Sequence, residues 1–155
     1  MRITDIRELK KTSGRLLGVD FGDVRTGLAI SDVSRYLASG LRTVAPGSMT
    51  KTADEIVRTV KEQHAVAIVL GLPVNMNGSE GPRAEHVKLF ADMLDERLPD
   101  VPLLLLDERM TTMAASRFLN ETGTRGQKRK QVIDTLSAQI ILQNGLDRLK
   151  NLDET

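Results

Sequence analysis

Apolar positions along the chain fall into runs that change character about a third of the way through. Near the start, "RLLGVDF" and "RTGLAISD" are two short, mostly apolar segments separated by "GDV", a Gly/Asp turn of hairpin length, and they predict two strands. "LASGLRTVA" predicts a third. From Lys51 to Gln63 the period lengthens. Ala53, Ile56, Val57 and Val60 share one helical face, and the continuous apolar run "AVAIVLGLP" then suits a strand buried on both sides. Val87, Phe90, Ala91, Leu94 and Leu98 recur at helical spacing and predict a helix over about 79–98, with Ser79 as N-cap and Glu80 as a first-turn acid. "VPLLLLDER" is another buried strand, and "TTMAASRFLNE" a short helix stopped by Gly123. A final helix runs from about Lys130 to Lys150, after a basic loop that contains glycine.

The order β-β-β-α-β-α-β-α-α predicts an α/β fold with a mixed five-stranded sheet: an antiparallel meander continued by parallel strands, with helices on both faces. Ligands of such sheets gather near strand ends. A polar N-terminal extension, residues 1–14, precedes one domain over 15–150, and 155 residues suffice for a single sizeable core.

One residue does not suit a buried strand. Asp20 stands between Val19 and Phe21, and an ionised carboxylate there costs several kcal/mol unless something compensates it. Two further acids interrupt apolar contexts. Asp107 and Glu108 close "LLLLDE", and Asp134 sits in the first turns of the last helix, on a face continued by Ser137, Ala138 and Ile141. Each has an ordinary explanation. The helix dipole stabilises an acid such as Asp134, strand-end acids are commonly solvated or pair with a neighbour such as Arg109, and for Asp20 the structural and functional explanations weigh about equally. Together the acids form a set of hard oxygen ligands that selects Mg²⁺ or Mn²⁺, and two such ions clamp the attacking and leaving oxygens of a phosphodiester. That chemistry is a nuclease's. Adjacent strand residues point to opposite faces, so only one of Asp107 and Glu108 can share a metal with Asp20; the longer Glu108 is the choice, with Asp107 as its substitute.

Composition narrows the partners. The chain has no cysteine, so a metal must be held by oxygen or by histidine, and His64 and His86 receive no role. A net charge of +1 gives no global attraction to nucleic acid, which leaves the local cluster Arg125, Lys128, Arg129 and Lys130 to hold a phosphate backbone. Three Phe and one Tyr offer little stacking surface. In "GLPVNMNGSEGPRA", Gly71, Pro73 and the turn dipeptide Asn77-Gly78 bend a strand end into a helix, and Asn75 with the amides near Ser79 is placed to meet phosphate. The N-terminus lacks the apolar core of a secretory signal, and no apolar run is long enough for a bilayer; the expected setting is the cytoplasm, or an organelle if a transit peptide preceded Met1.

"GVDFGDVRTGLAISD", "IVLGLPVNMNGSEGPRA", "LLLDERMTT" and "KRKQVIDTLSAQIIL" resemble, in this order, the four motif regions of the YqgF/RuvX family, the Holliday-junction-resolvase-like proteins also described as pre-16S rRNA nucleases. The resemblance covers about residues 15–148. It implies an RNase H-like fold, a nuclease dependent on divalent metal, and a role in maturing the 5′ end of small-subunit ribosomal RNA, with cleavage of branched DNA as the alternative. By position, the first-strand acid is Asp20, the acid of "DER" is Glu108 or Asp107, and the last-helix acid is Asp134. Arg109 joins the expected substrate contacts. The family usually follows its last acid with small residues, where this chain has Thr135, Leu136 and Ser137. The implied partners are precursor rRNA, ribosomal precursor particles or branched DNA, met by a monomer or homodimer away from any membrane.

Two other classes compete. The hairpin also looks like the first phosphate loop of actin-like ATPases, but those clamp nucleotide between two such domains and this chain supplies one. A non-catalytic ribosome- or RNA-binding module would have lost its carboxylates first.

Overall fold

The computed structural model describes residues 1–107 and 126–153, with side chains over 1–107 and 135–152. Its strands are β1 (Arg2–Ile3), β2 (Leu16–Phe21), β3 (Thr26–Ser31), β4 (Ala38–Val44), β5 (Ala67–Leu72) and β6 (Leu103–Asp107). The helices are α1 (Met49–Gln63), α2 (Pro82–Arg97) and α3 (Gly126–Asp153). They build a six-stranded sheet in the order β1-β6-β5-β2-β3-β4. β2, β3 and β4 form the antiparallel meander, and β2, β5, β6 and β1 run parallel.

Strand alternation sorts the core into two layers. Leu17, Val19, Phe21, Ile68, Leu70 and Leu103 pack against α1 and α2 through residues such as Ile56, Val60, Phe90 and Leu94. Leu16, Ala29, Val69, Leu104 and Leu106 face α3 through Ala138, Ile141, Leu142 and Leu146. The expected mixed sheet with helices on both faces is the one observed, with one strand more than expected. The extra strand is β1, supplied by the polar lead-in. Met1 O accepts from Leu103 N at 2.8 Å, and Arg2 reaches Asp92 and Asp95 of α2. A 3₁₀ turn over Ile6–Lys11 buries Leu9 completely, a gain of about 1.5–3 kcal/mol for a side chain of that size. Arg35 locks this segment down, donating to Leu9 O, Gly14 O and Thr12 Oγ1 at 2.7–2.9 Å. Periodicity could not find a two-residue strand.

Between β3 and β4, Asp32 accepts from the N–H groups of Tyr36 and Leu37 at 2.8 and 3.0 Å. The Leu37 bond above all holds its carboxyl below the usual aspartate value.

Two helix starts differ from expectation. α2 begins at Pro82 with Gly81 as its N-cap, and Ser79 is not the cap. Proline is pre-set for the first helical turn, so the helix begins there. Ser79 is instead tied into the preceding loop, with its hydroxyl donating to Asn77 Oδ1 at 2.7 Å and accepting from Asn75 Nδ2 at 3.0 Å. Glu80 pairs with Lys88, and the first-turn acid is Glu85. α3 begins at Gly126, so Lys128, Arg129 and Lys130 stand in its first turns and not on a loop before it; Gln, Lys and Arg are good helix formers and extend the helix backwards. The expected helix "TTMAASRFLNE" lies outside the described residues.

Candidate active site

α3 lies unusually close to the sheet because two glycines admit it. A Cβ added at Gly18 would stand 2.7 Å from Leu142 Cβ and 3.0 Å from Ala138 O, and one at Gly40 would stand 2.3 Å from Thr135 Cγ2. Polar side chains then fasten the helix to the edge strand β4. Gln143 accepts from Ala38 N at 2.8 Å and donates to Tyr36 O at 3.0 Å, Gln139 donates to Ala38 O at 3.1 Å, and the hydroxyls of Thr135 and Thr43 are 3.3 Å apart. The helix therefore runs antiparallel to β2 and β4, descending from residue 142 toward 135 as the strands advance toward their C-terminal ends. Ser137, Ala138 and Ile141, the face expected to meet the sheet, are 6%, 0% and 1% exposed.

Asp20 sits near the C-terminal end of β2, two residues beyond Gly18 and on the same face, toward α3. It is half-buried. Its cross-strand partner on β3 is Gly27, which pairs in turn with Thr43. On the other side Val19 pairs with Leu70, so the row of Asp20 continues through Gly71, which pairs with Leu106 of β6. Asp20 is thus flanked on both neighbouring strands by residues without side chains. A carboxylate in this cradle has the hard oxygen donors that suit a divalent cation such as Mg²⁺ or Mn²⁺. Gly27 and Gly71 were not singled out for this purpose in the sequence, because their pairing with the Asp20 row depends on register.

The same register places Asp107. It pairs with Leu72 in the row beyond Leu105 and Leu70, so it belongs to the face of α1 and α2, opposite Asp20. Asp107 and Asp20 are not brought together. Glu108, Arg109 and Arg125 lie outside the described residues, as do the side chains of Lys128, Arg129, Lys130 and Asp134. Among the described residues no group of three or more His, Cys, Asp or Glu converges on a point. Asn75 is exposed and spends its amide on Ser79. His86, an exposed residue of α2, packs its ring 5.4 Å from that of Phe21, which stacks on Phe90 at 4.0 Å. No helix among the described residues is long and apolar enough to cross a membrane.

Known proteins resemble the chain in sequence and in fold. A relative from Caldanaerobacter subterraneus subsp. tengcongensis, named "Putative pre-16S rRNA nuclease", is 48% identical over 139 residues, spanning 88% of this chain and 99% of that protein. One of the same name from Paracoccus denitrificans is 43% identical over 143 residues, spanning 92% and 90%. Among solved structures, Thermus thermophilus RuvC in complex with a Holliday junction substrate superposes with a TM-score of 0.55 at 13% identity, covering 88% of this chain and 96% of that one. The fowlpox virus Holliday junction resolvase gives 0.51 at 12% identity, covering 88% and 99%. These structures share the fold, which is RNase H-like. Residues 14–148 match the RuvX family, described as Holliday junction resolvase, and the chain belongs to that family.

Proposed function

We propose that the protein is a metal-dependent endonuclease that hydrolyses phosphodiester bonds of precursor 16S rRNA during maturation of its 5′ end. The observation that carries this reading is the place of Asp20: a half-buried carboxylate on the α3 face of the sheet, in a row between Gly27 and Gly71. The names of the close relatives supply the substrate.

Asp20, Glu108 and Asp134 are the proposed ligands. Glu108 is preferred to Asp107 because Asp107 belongs to the face opposite Asp20, and adjacent residues of a strand point to opposite faces. Position 134 is one helical turn before Ala138, in the row that crosses β2 at Gly18, and α3 descends toward Asp20 in that direction. When bound, Mg²⁺ or Mn²⁺ ions, two in this reading, activate a water and neutralise charge on the leaving oxygen. The chain's part is to hold three carboxylates on rigid elements and to seat the phosphate backbone. The second task falls to Arg109, Arg125, Lys128, Arg129 and Lys130, with Asn75 and its neighbouring amides at the start of α2. The proposed setting is the cytoplasm, with free precursor RNA or ribosomal precursor particles as the partner of a monomer or homodimer.

The test incubates purified protein with labelled precursor 16S rRNA, unrelated single-stranded RNA and a four-way DNA junction, each with Mg²⁺, Mn²⁺ or chelator. Cleavage of the precursor near its 5′ end, abolished by chelator, is expected. Cleavage confined to the junction would replace this reading by a resolvase, and binding without cleavage in either metal would replace it by an RNA-binding module.

A further inference from the structure

Arg25 has a guanidinium nitrogen that the fold buries and leaves unpaired. Nη1 is shielded from solvent without a hydrogen-bond partner, although every other described side chain with a fully buried nitrogen or oxygen has found one. Burying a guanidinium N–H without an acceptor is unfavourable, and folding alone does not select it.

Its surroundings say what acceptor is missing. Thr26, the next residue, is 3% exposed and pairs with Phe21 on the α1–α2 side. There Phe21, Gly22, Asp23, Val24, Thr26 and His86 help to line a cavity of about 250 Å³, and Arg25 is not among its lining residues. Arg25 immediately precedes β3, two residues before Gly27, the cross-strand partner of Asp20. The turn holds it there tightly. A Cβ at Gly22 would stand 2.2 Å from Arg25 O, so only glycine allows the two strands of this hairpin to approach so closely. A cation with a donor to spare thus belongs to the turn that joins the strand of Asp20 to that of its partner Gly27.

We infer that Arg25 is a phosphate-binding residue of the active site, whose guanidinium donates to a non-bridging oxygen of the nucleic-acid backbone beside Asp20. The inference rests on the nuclease reading for the role of Asp20. The orphaned nitrogen and its place on the turn between β2 and β3 stand independently of that reading. Arginine suits the task because its planar fork is always charged and matches phosphate geometry. Bound backbone would supply the acceptor that the free protein lacks, and would draw the scissile region toward the carboxylates that otherwise repel it.

The experiment measures affinity for a fluorescent single-stranded RNA oligonucleotide by anisotropy, in chelator and over a range of salt, together with melting temperature. The proteins are wild type, Arg25→Gln and Arg25→Lys. Expected for Arg25→Gln are a melting temperature equal to or above that of wild type, at least fivefold weaker binding, and a slope of log affinity against log salt reduced by about 0.7, the value for one contact to a single strand. Arg25→Lys keeps charge without the fork and should bind between the two. A structural arginine would give the reverse, a marked fall in melting temperature in both variants with the affinity of the folded fraction unchanged, and that result overturns the inference. So does wild-type affinity in a stable Arg25→Lys, which also decides the matter if Arg25→Gln does not fold. Loss of cleavage by wild type in Mg²⁺ and Mn²⁺, with the Arg25 effects on binding intact, would count against the nuclease reading and leave the phosphate site standing.

Discussion

The proposed ligand set takes Glu108 and not its neighbour Asp107. The Leu72 pairing commits Asp107 to the side of α1 and α2, so its removal should leave cleavage within a few-fold of wild type. Glu108→Gln should lower turnover by at least about 10²-fold with an unchanged circular dichroism spectrum, as expected for a lost ligand of the reacting centre. Steady-state cleavage of the precursor by Asp107→Ala and Glu108→Gln checks both, and the opposite ranking would place the site on the wrong face. Residues differ in how visibly they announce such roles. Asp20 was legible because a carboxylate inside an apolar strand violates a local rule. Gly27, Gly71 and Arg25 were not. A glycine in a strand and an arginine in a turn break no local rule, and their meaning comes from which residues stand opposite them. Asn75, proposed as a phosphate contact from its place before a helix, also donates to Ser79 Oγ, a bond that the sequence does not announce.

At the scale of elements, the distance between α3 and the sheet decides whether Asp134 can reach the site, and Gly18 sets that distance. Gly18→Ala forces a methyl into Leu142 and the carbonyl of Ala138. Such overpacking costs about 1–3 kcal/mol, at about 2–4 °C of melting temperature per kcal/mol for a domain this size. Because the helix must yield, turnover should fall more than affinity for RNA does. Calorimetry and a kcat and KM pair measure this, and a normal kcat in a destabilised Gly18→Ala would mean that the helix position does not tune the chemistry. The buried face of α3 was legible through Ser137, Ala138 and Ile141. Its second attachment was not, since the spacing of Gln139 and Gln143 does not show that β4 offers them the backbone of Ala38 and Tyr36. The start of α2 was misplaced because Ser79 has the chemistry of a cap, whereas Gly81 and Pro82 have the required backbone.

For the whole molecule, the sequence pattern was enough to define the mixed sheet and its two helical layers, because their periods are long and regular. β1 escaped it, being two residues held by β6 and by contacts to α2. A net charge of +1 leaves attraction to RNA to local clusters, and the first turns of α3 carry Lys128, Arg129 and Lys130. If these side chains serve the proposed function by holding the backbone, replacing the three by Gln should raise KM and flatten its dependence on salt while kcat changes little. Cleavage kinetics across a salt series measure this, and a collapse of kcat at normal KM would move one of the three into the reacting centre. The central claim is that carboxylates crowd around a metal site at Asp20, and it is tested most directly by melting curves of wild type and Asp20→Asn with and without Mg²⁺ or Mn²⁺. Mutual repulsion in the metal-free protein should be relieved by either ion, so wild type should melt higher with metal, by a margin that grows with concentration on the linkage relation. Asp20→Asn, nearly isosteric and uncharged, should melt at or above metal-free wild type and gain less from the ions. A metal-free Asp20→Asn that melts well below wild type, or a wild type indifferent to both ions, would contradict the account and leave Asp20 as a structural hydrogen-bonding group.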